Sequence, residues 1–428
     1  MLDIKYIREN LEICKQAAKN KNREVDWDKL LRLDEKRREL IGKIEERRAK
    51  RNEISKFHPP AGGSNKIQNP NDQKEEGRKL RDEIKELEEE LKTVERDYNE
   101  LMLTVPNVPD PIVPIGKDAS GNKEVKKWGE PKSVSGWDFA PLDHIELMKR
   151  LDLVDFDRGV KVGGFRTYFL KNEGVLLEMA VLTYTLQKLV KKGYIPLIAP
   201  SLVKDFTLVG NGQFPWGREE VYALEKDEVY LAGTAEVPVT AYYADEILLE
   251  KDLPKKFVAF SPCFRREAGS YGKDTRGLYR LHQFNKIEQV IINLNDYESS
   301  IACHEELLQN SEEVLQDLKL PYRVMLMCTG DMGEPQVKKY DVETWMPKRE
   351  AYGETMSNSF MGEFQARRLN IRYRARDGVK FAHTLNNTAV ASPRILIAIL
   401  ENYQQADGSV LVPEVLRDFV GKERIEEK

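Results

Sequence analysis

The stretch FSPCFRREAGSYGKDTRGLYRLHQFNKIEQVII, residues 260–292, concentrates side chains suited to chemistry. It reads as a strand, a polar loop bearing glycines 269, 272 and 277, and a second strand. Arg265 and Glu267 lie two apart, a spacing that on a strand puts both on one face. The loop adds Arg266, Lys273, Arg276 and Arg280. Positive charge on a glycine-bearing loop suits a polyphosphate, with the carboxylate free to read an amine. The plainer reading of the same residues is an Arg–Glu ion pair above a solvated hairpin.

Such residues need a scaffold, and 428 residues suffice for two or three domains, each with its own core. Hydrophobic residues make up 40% and charged residues 33%, the balance of a globular chain with a heavily charged surface. An unbroken apolar run long enough to span a bilayer is missing, so no membrane partner is expected. The opening MLDIKYIREN has no apolar signal region, which makes the cytoplasm the expected location. Cys14, Cys263, Cys303 and Cys328 are too scattered for a disulfide framework or a Cys/His zinc site. The net charge of −4 does not exclude a nucleic-acid partner, because phosphate binding depends on local patches.

Leu2, Ile4, Ile7, Leu11 and Ile13 predict a short amphipathic element over residues 1–20. A charged helix from about Asp26 to Lys56 carries Leu30, Leu33, Leu40, Ile44 and Ile54 near heptad positions. Residues 58–72, HPPAGGSNKIQNPND, form a turn by composition. Leu80, Ile84, Leu87, Leu91, Val94, Tyr98 and Leu101 then repeat as an a/d seam. Two such helices make an antiparallel coiled-coil arm, expected to project because it has one narrow stripe to bury. Lys43, Arg47, Arg48, Lys50 and Arg51 line its first helix, with Phe57 and His58 at the end. A charge run is more often a solvated face, and the functional reading is contact with RNA phosphates.

Prolines after Leu103 end the hairpin. The expected division is an arm over 1–110, a linker over 111–130 and a mixed domain over 131–428. Strands are predicted at 257–260, 286–292 and 322–327, and helices at Leu176–Lys192, Asp296–Leu318 and Arg394–Gln405.

Residues 260–292 resemble motif 2 of class II aminoacyl-tRNA synthetases, and SPCFRREAGS…DTRGLYRLHQFNKIE is similar to the seryl enzymes. GYIPLIAPSLV, residues 193–203, resembles motif 1, whose Pro200 position lies at a dimer interface in that family. HTLNNTAVASPRILIAILENYQ, residues 383–404, resembles motif 3. The resemblance implies an α+β fold: an antiparallel sheet flanked by helices, with an N-terminal antiparallel coiled-coil arm. It implies ATP contacts at Arg265, Arg266, Glu267, Leu281, Phe284, Glu354, Thr355, Met356, Ser357 and Arg394. Arg265 would grip the α-phosphate and the amino-acid carboxylate, while Arg280 and Arg394 would reach the γ-phosphate. Glu267 would meet the adenine amine and Phe284 would stack on the ring.

LAGTAEVP, residues 231–238, resembles the serine-binding TAE of the family, although alone it reads as a helix start. The resemblance places Thr234, Ala235, Glu236, Glu288 and Thr388, with Arg265, around serine. Glu354 and Ser357 correspond to the family's Mg²⁺ ligands, hard oxygens that suit that ion. Met356 and Phe360 stand where the commoner seryl sequence has serine and asparagine, and Pro393 where a small residue is usual. The implied activity is ATP-dependent attachment of serine to tRNA(Ser) through seryl-adenylate, by a homodimer. Whether tRNA(Sec) is also a substrate is left open. A synthetase for another small amino acid, a ligase loading a carrier protein and a non-catalytic RNA-binding protein are the competing readings. The arm, TAE and Glu288 count against the first, the arm against the second, and the intact arginines with Glu354 against the third.

Overall fold

The structure, a computed structural model, describes residues 1–56, 70–270, 272, 274 and 276–427. Phe57, His58, most of the expected 58–72 turn and Lys273 lie outside them. The chain forms two compact units, one of Asp3–Ala18 and Arg23–Val105, the other of Met1–Leu2, Lys19–Asn22 and Pro106–Lys428.

The first unit is helical. The expected N-terminal element is two short helices, Ile4–Glu9 and Leu11–Asn20, the first capped by Asp3. The long helices Trp27–Lys56 and Pro70–Met102 pack against each other as an antiparallel pair. Leu30, Leu40 and Ile44 bury against a partner helix that buries Leu80, Ile84, Val94 and Tyr98. Among the described residues this stripe is the main dry seam of the pair, and the outward faces carry charge.

The second unit is built on an eight-stranded sheet. In chain order its strands are β1 (Lys123–Trp128), β2 (Ile195–Ile198), β3 (Lys255–Phe264), β4 (Gln283–Asn293), β5 (Tyr322–Leu326), β6 (Lys338–Met346), β7 (Ala351–Gly362) and β8 (His383–Ala391). The spatial order is β1-β5-β6-β7-β8-β4-β3-β2. Every neighbouring pair is antiparallel except β2 with β3. In β4, Lys286–Asn293 are all buried, as are residues 383–390 of β8, which is why both strands read as near-continuous runs. Helices Asn172–Lys191, Tyr297–Asp317 and Ser392–Tyr403 close the core, with Leu177, Leu307 and Ile399 among its buried members.

Residues 111–130, expected as a linker, belong to this unit and contribute the edge strand β1. Trp128 stacks on Tyr322 of β5 at 5.8 Å, an apolar anchor that a free connector would lack. The predicted 257–260 strand extends over Lys255–Phe264, because its ladder with β4 runs unbroken from Lys255–Ile292 to Phe264–Gln283. Met356 and Phe360, the departures noted above, are 1% and 2% exposed and belong to the core. All four cysteines are buried and unpaired, Cys14 in the helical unit and the other three in the sheet unit.

Candidate active site

The strand β3 stops at Phe264, and the chain beyond it is re-aimed within three residues. Arg265 N donates to His282 O at 2.9 Å, one last ladder bond. Glu267 then adopts φ +56°, a left-handed conformation costly for a residue with a Cβ. This corrects the alternation argument: Arg265 and Glu267 share a cleft because the backbone turns, and not because a strand continues. Glu220 fixes the turn, its carboxylate accepting from Ala268 N at 3.1 Å and Gly269 N at 2.9 Å.

The returning limb is held from another direction. His144 Nε2 accepts from Leu278 N at 3.2 Å, which leaves Nδ1 protonated and donating to Glu401 at 3.1 Å. Gly277 has φ +73°, and a Cβ there would stand 2.2 Å from His144 Nε2, so glycine is required on two counts. His144 and Glu401 escaped the sequence reading, since neither belongs to a local pattern.

Between these limbs lies a cleft enclosing about 530 Å³, partly open to solvent. Arg265, Glu267, Arg280, Leu281, Phe284, Glu354, Thr355, Met356, Ser357, Thr388 and Arg394 line it, all of them expected. Arg265 sits 5.2 Å above the Phe284 ring, with Nε donating to Gly233 O at 3.3 Å. Arg280 Nη1 donates to Glu267 at 2.6 Å. Arg394, in the first turn of the Ser392–Tyr403 helix behind Pro393, donates to Glu354 O at 2.7 Å and Oε2 at 3.2 Å. Burial alone would raise the Glu354 carboxyl, but Arg394, then Lys339 and Arg265, outweigh it and hold it below the usual range. Thr355 turns its hydroxyl to Thr344 at 2.7 Å and Met356 packs in the core, so these two offer the cleft mainly backbone. Arg266 is absent from the lining; its guanidinium lies 5.8 Å from the Tyr222 ring.

At the inner end of the cleft the expected serine-binding residues converge. Glu288 on β4 pairs in register with Thr388 on β8. Thr388 Oγ1 donates to Glu288 Oε2 at 3.1 Å, and Thr234 Oγ1 stands 3.5 Å from the same oxygen. Glu236 opens a short helix, its backbone N–H donating to Thr234 Oγ1 at 3.2 Å, with Ala235 fully buried before it. Asn211 and Gln365 donate to the Glu236 carboxylate at 2.9 and 2.8 Å. Burial and then Glu288 push the Glu236 carboxyl above its ordinary value.

Lys286 completes the cluster and was not singled out in sequence. The signal was available: a lysine on a strand buried on both faces must have partners.

In the helical unit the expected RNA-binding residues are ion-paired. Lys43 meets Glu39 at 2.5 Å, Arg47 meets Glu83 at 2.9 Å, Arg48 meets Glu88 at 2.7 Å and Lys50 meets Glu76 at 3.2 Å. Arg51 is half-buried on the same helix. Exposed pairs of this kind contribute about 0–1 kcal/mol each, so a phosphate can displace the carboxylate at little cost.

An antiparallel sheet with arginines converging from a strand–loop–strand and from a strand–helix junction defines the class II aminoacyl-tRNA synthetases. Residues 220–403 match the family model described as tRNA synthetase class II core domain (G, H, P, S and T). Residues 1–109 match the seryl-tRNA synthetase N-terminal domain. The serine–tRNA ligase of Deinococcus radiodurans is 46% identical over 98% of both chains. That of Pseudothermotoga lettingae is 45% identical over 99% of both. The crystal structure of Pyrococcus horikoshii seryl-tRNA synthetase complexed with ATP superimposes with a TM-score of 0.90 at 37% identity, covering all of both chains. The chain belongs to the seryl-tRNA synthetase family.

Proposed function

We propose that this chain joins serine to tRNA(Ser) in two steps within the cleft described above. A serine carboxylate oxygen attacks the α-phosphorus of ATP, the bond to the β-phosphate breaks, and pyrophosphate leaves. The terminal ribose hydroxyl of the tRNA then attacks the acyl carbon of seryl-adenylate and AMP departs. Arg265 bridges the α-phosphate and the carboxylate, Arg280 and Arg394 take the γ-phosphate, and Arg266 joins the nucleotide site only by leaving Tyr222. Glu267 accepts from the adenine amine, with the base between Phe284 and Leu281 and backbone from Thr355 and Met356 at its edge. No covalent enzyme intermediate is needed, so positioning and charge neutralisation carry the catalysis.

ATP entry exchanges ion pairs for phosphate contacts, since Arg280 and Arg394 now face Glu267 and Glu354. Glu354, once released by Arg394, and the Ser357 hydroxyl would hold Mg²⁺. No group of three or more His, Cys, Asp or Glu fit for a metal occurs among the described residues. Two protein oxygens completed by water and phosphate suit magnesium. When bound, the ion would neutralise charge on the phosphate oxygens.

The convergence of Glu288, Thr388 and Thr234 beside Arg265 carries the serine assignment. Buried groups that must hydrogen-bond a hydroxyl reject alanine, which would leave them unpaired. Threonine is rejected by size. In ATP–pyrophosphate exchange serine is expected to support turnover at least about a hundredfold above alanine, glycine or threonine. Equal exchange with alanine would remove serine as the substrate.

The long variable arm of tRNA is assigned to Lys43, Arg47, Arg48, Lys50 and Arg51 on the helical arm over 1–110, and serine activation to the domain that follows it. Such recognition rests on backbone shape more than base sequence, which would also admit tRNA(Sec). Val175, Leu176, Met179, Ile195, Ile198 and Leu202 are exposed on one helix, edge strand β2 and the strand after it. A second copy covering this apolar set makes the active homodimer. Among the described residues no helix is long and apolar enough to cross a membrane. The cytoplasm holds all three substrates.

A further inference from the structure

A buried ammonium stands at the inner end of the cleft, and the two reaction steps leave it without a role. Lys286 is 4% exposed and lies on β4 two residues before Glu288, so the two side chains share a face. Its three N–H donors each meet an acceptor. Nζ donates to Thr234 Oγ1 at 2.7 Å and to Thr388 Oγ1 at 3.2 Å, and it is ion-paired with Glu288 Oε2. These are the groups assigned to the ammonium and hydroxyl of the amino acid.

Two consequences follow from this arrangement. A hydroxyl that accepts from an ammonium has its one proton left to give, and Thr388 gives it to Glu288. Among the described residues, Thr234, Thr388 and Lys286 all meet the Glu288 carboxylate at Oε2, and Oε1 is the oxygen assigned to the amino acid. The pocket also holds a second carboxylate, the half-buried Glu236, on which Glu288 and Lys286 act in opposite directions. Cys263 on β3 and Arg265 also act on this cluster, and Glu267, Arg280, Glu354 and Arg394 line the same cleft as Lys286. Two like charges in one dry pocket cannot both persist without a cation between them.

We propose that Lys286 is a positioning residue for the amino-acid substrate. It holds the Glu288 carboxylate and the Thr234 and Thr388 hydroxyls in the arrangement that receives an ammonium and a hydroxyl. The inference rests on the serine reading above, and it accounts for two carboxylates, Glu288 and Glu236, sharing one pocket.

Lys286→Met and Lys286→Gln test it by ATP–pyrophosphate exchange, after the parent's serine activity has been measured. Each is expected to raise the serine KM about a hundredfold at about pH 6.5, with the ATP KM within about threefold of the parent. The deficit should shrink as the pH rises, because Glu236, already raised by burial and Glu288, loses the opposing effect of Lys286 and regains charge only toward higher pH. Equal losses in both KM values, a deficit independent of pH, or two variants that no longer melt cooperatively would reduce Lys286 to a core ion pair and overturn the proposal. A parent inactive with serine would instead defeat the serine reading, a separate result from variants that match an active parent.

Discussion

Arg265 reaches the cleft from the end of β3, steadied by the Gly233 carbonyl and the face of Phe284. Those two contacts orient the guanidinium without making it part of the core. Arg265→Ala should therefore lower serine-dependent pyrophosphate exchange by about a thousandfold or more, while the melting temperature moves by only a few degrees. Near-normal exchange would remove Arg265 from the reaction. At this scale the sequence was informative wherever a motif kept its spacing: the family resemblance pointed to the TAE segment, Glu288, Thr388 and Arg394, and the fold brings them to one cleft. What could not be read was conformation. The left-handed turn at Glu267 depends on Glu220, and the Arg394–Glu354 pair joins residues forty positions apart. Pairings of that kind are decided by packing across the sheet, and no local pattern records them.

The limbs on either side of residues 271–275 are each held at a single point, by Glu220 before them and by His144 after them. Gly277→Ala would press a methyl group on His144 and force a left-handed alanine. The expected cost is about 1–3 kcal/mol of local stability and at least a tenfold loss of exchange, seen mainly in the ATP KM. An unchanged ATP KM would show that the His144 anchor does not govern the loop. The paired helices make a different prediction. Removing about residues 30–100 should spare adenylate formation and abolish tRNA charging. Neutralising Arg47, Arg48 and Lys50 to glutamine should flatten the salt dependence of tRNA binding by about two to three units of slope. A truncated enzyme that charges tRNA normally would defeat the role of the arm. These helices were legible because a seven-residue repeat survives without tertiary help, whereas the edge strand Lys123–Trp128 has five consecutive exposed positions and no such signature.

For the whole molecule, acid sensitivity should centre on His304. It is fully buried, stacked on Tyr340 at 5.2 Å, with Nε2 against Asn358 O at 3.3 Å. Burial, then Lys338, push it down to about 3. An unfolded histidine titrates near 6.5, so between about pH 6.5 and 3 the unfolded chain binds a proton that the native one refuses. Stability is lost as the pH falls through that window, by about 2 kcal/mol at about pH 5 from this residue alone. Above it the residue contributes no slope. Chemical melts of His304→Gln at about pH 7 and pH 5 should show a smaller difference than the parent by roughly that amount. An identical pH dependence in both proteins would assign acid lability elsewhere.

The burial of every cysteine has a practical corollary. Cys14 is pushed up to about 11 by burial, and Cys263 and Cys303 are raised for the same reason. Only a thiolate reacts quickly with an alkylating reagent, so the native protein should be nearly inert to one. Each thiol becomes reactive when its surroundings open. Timed alkylation followed by mass spectrometry would then report, from unmodified protein, whether the helical unit around Cys14 breathes independently of the sheet around Cys263.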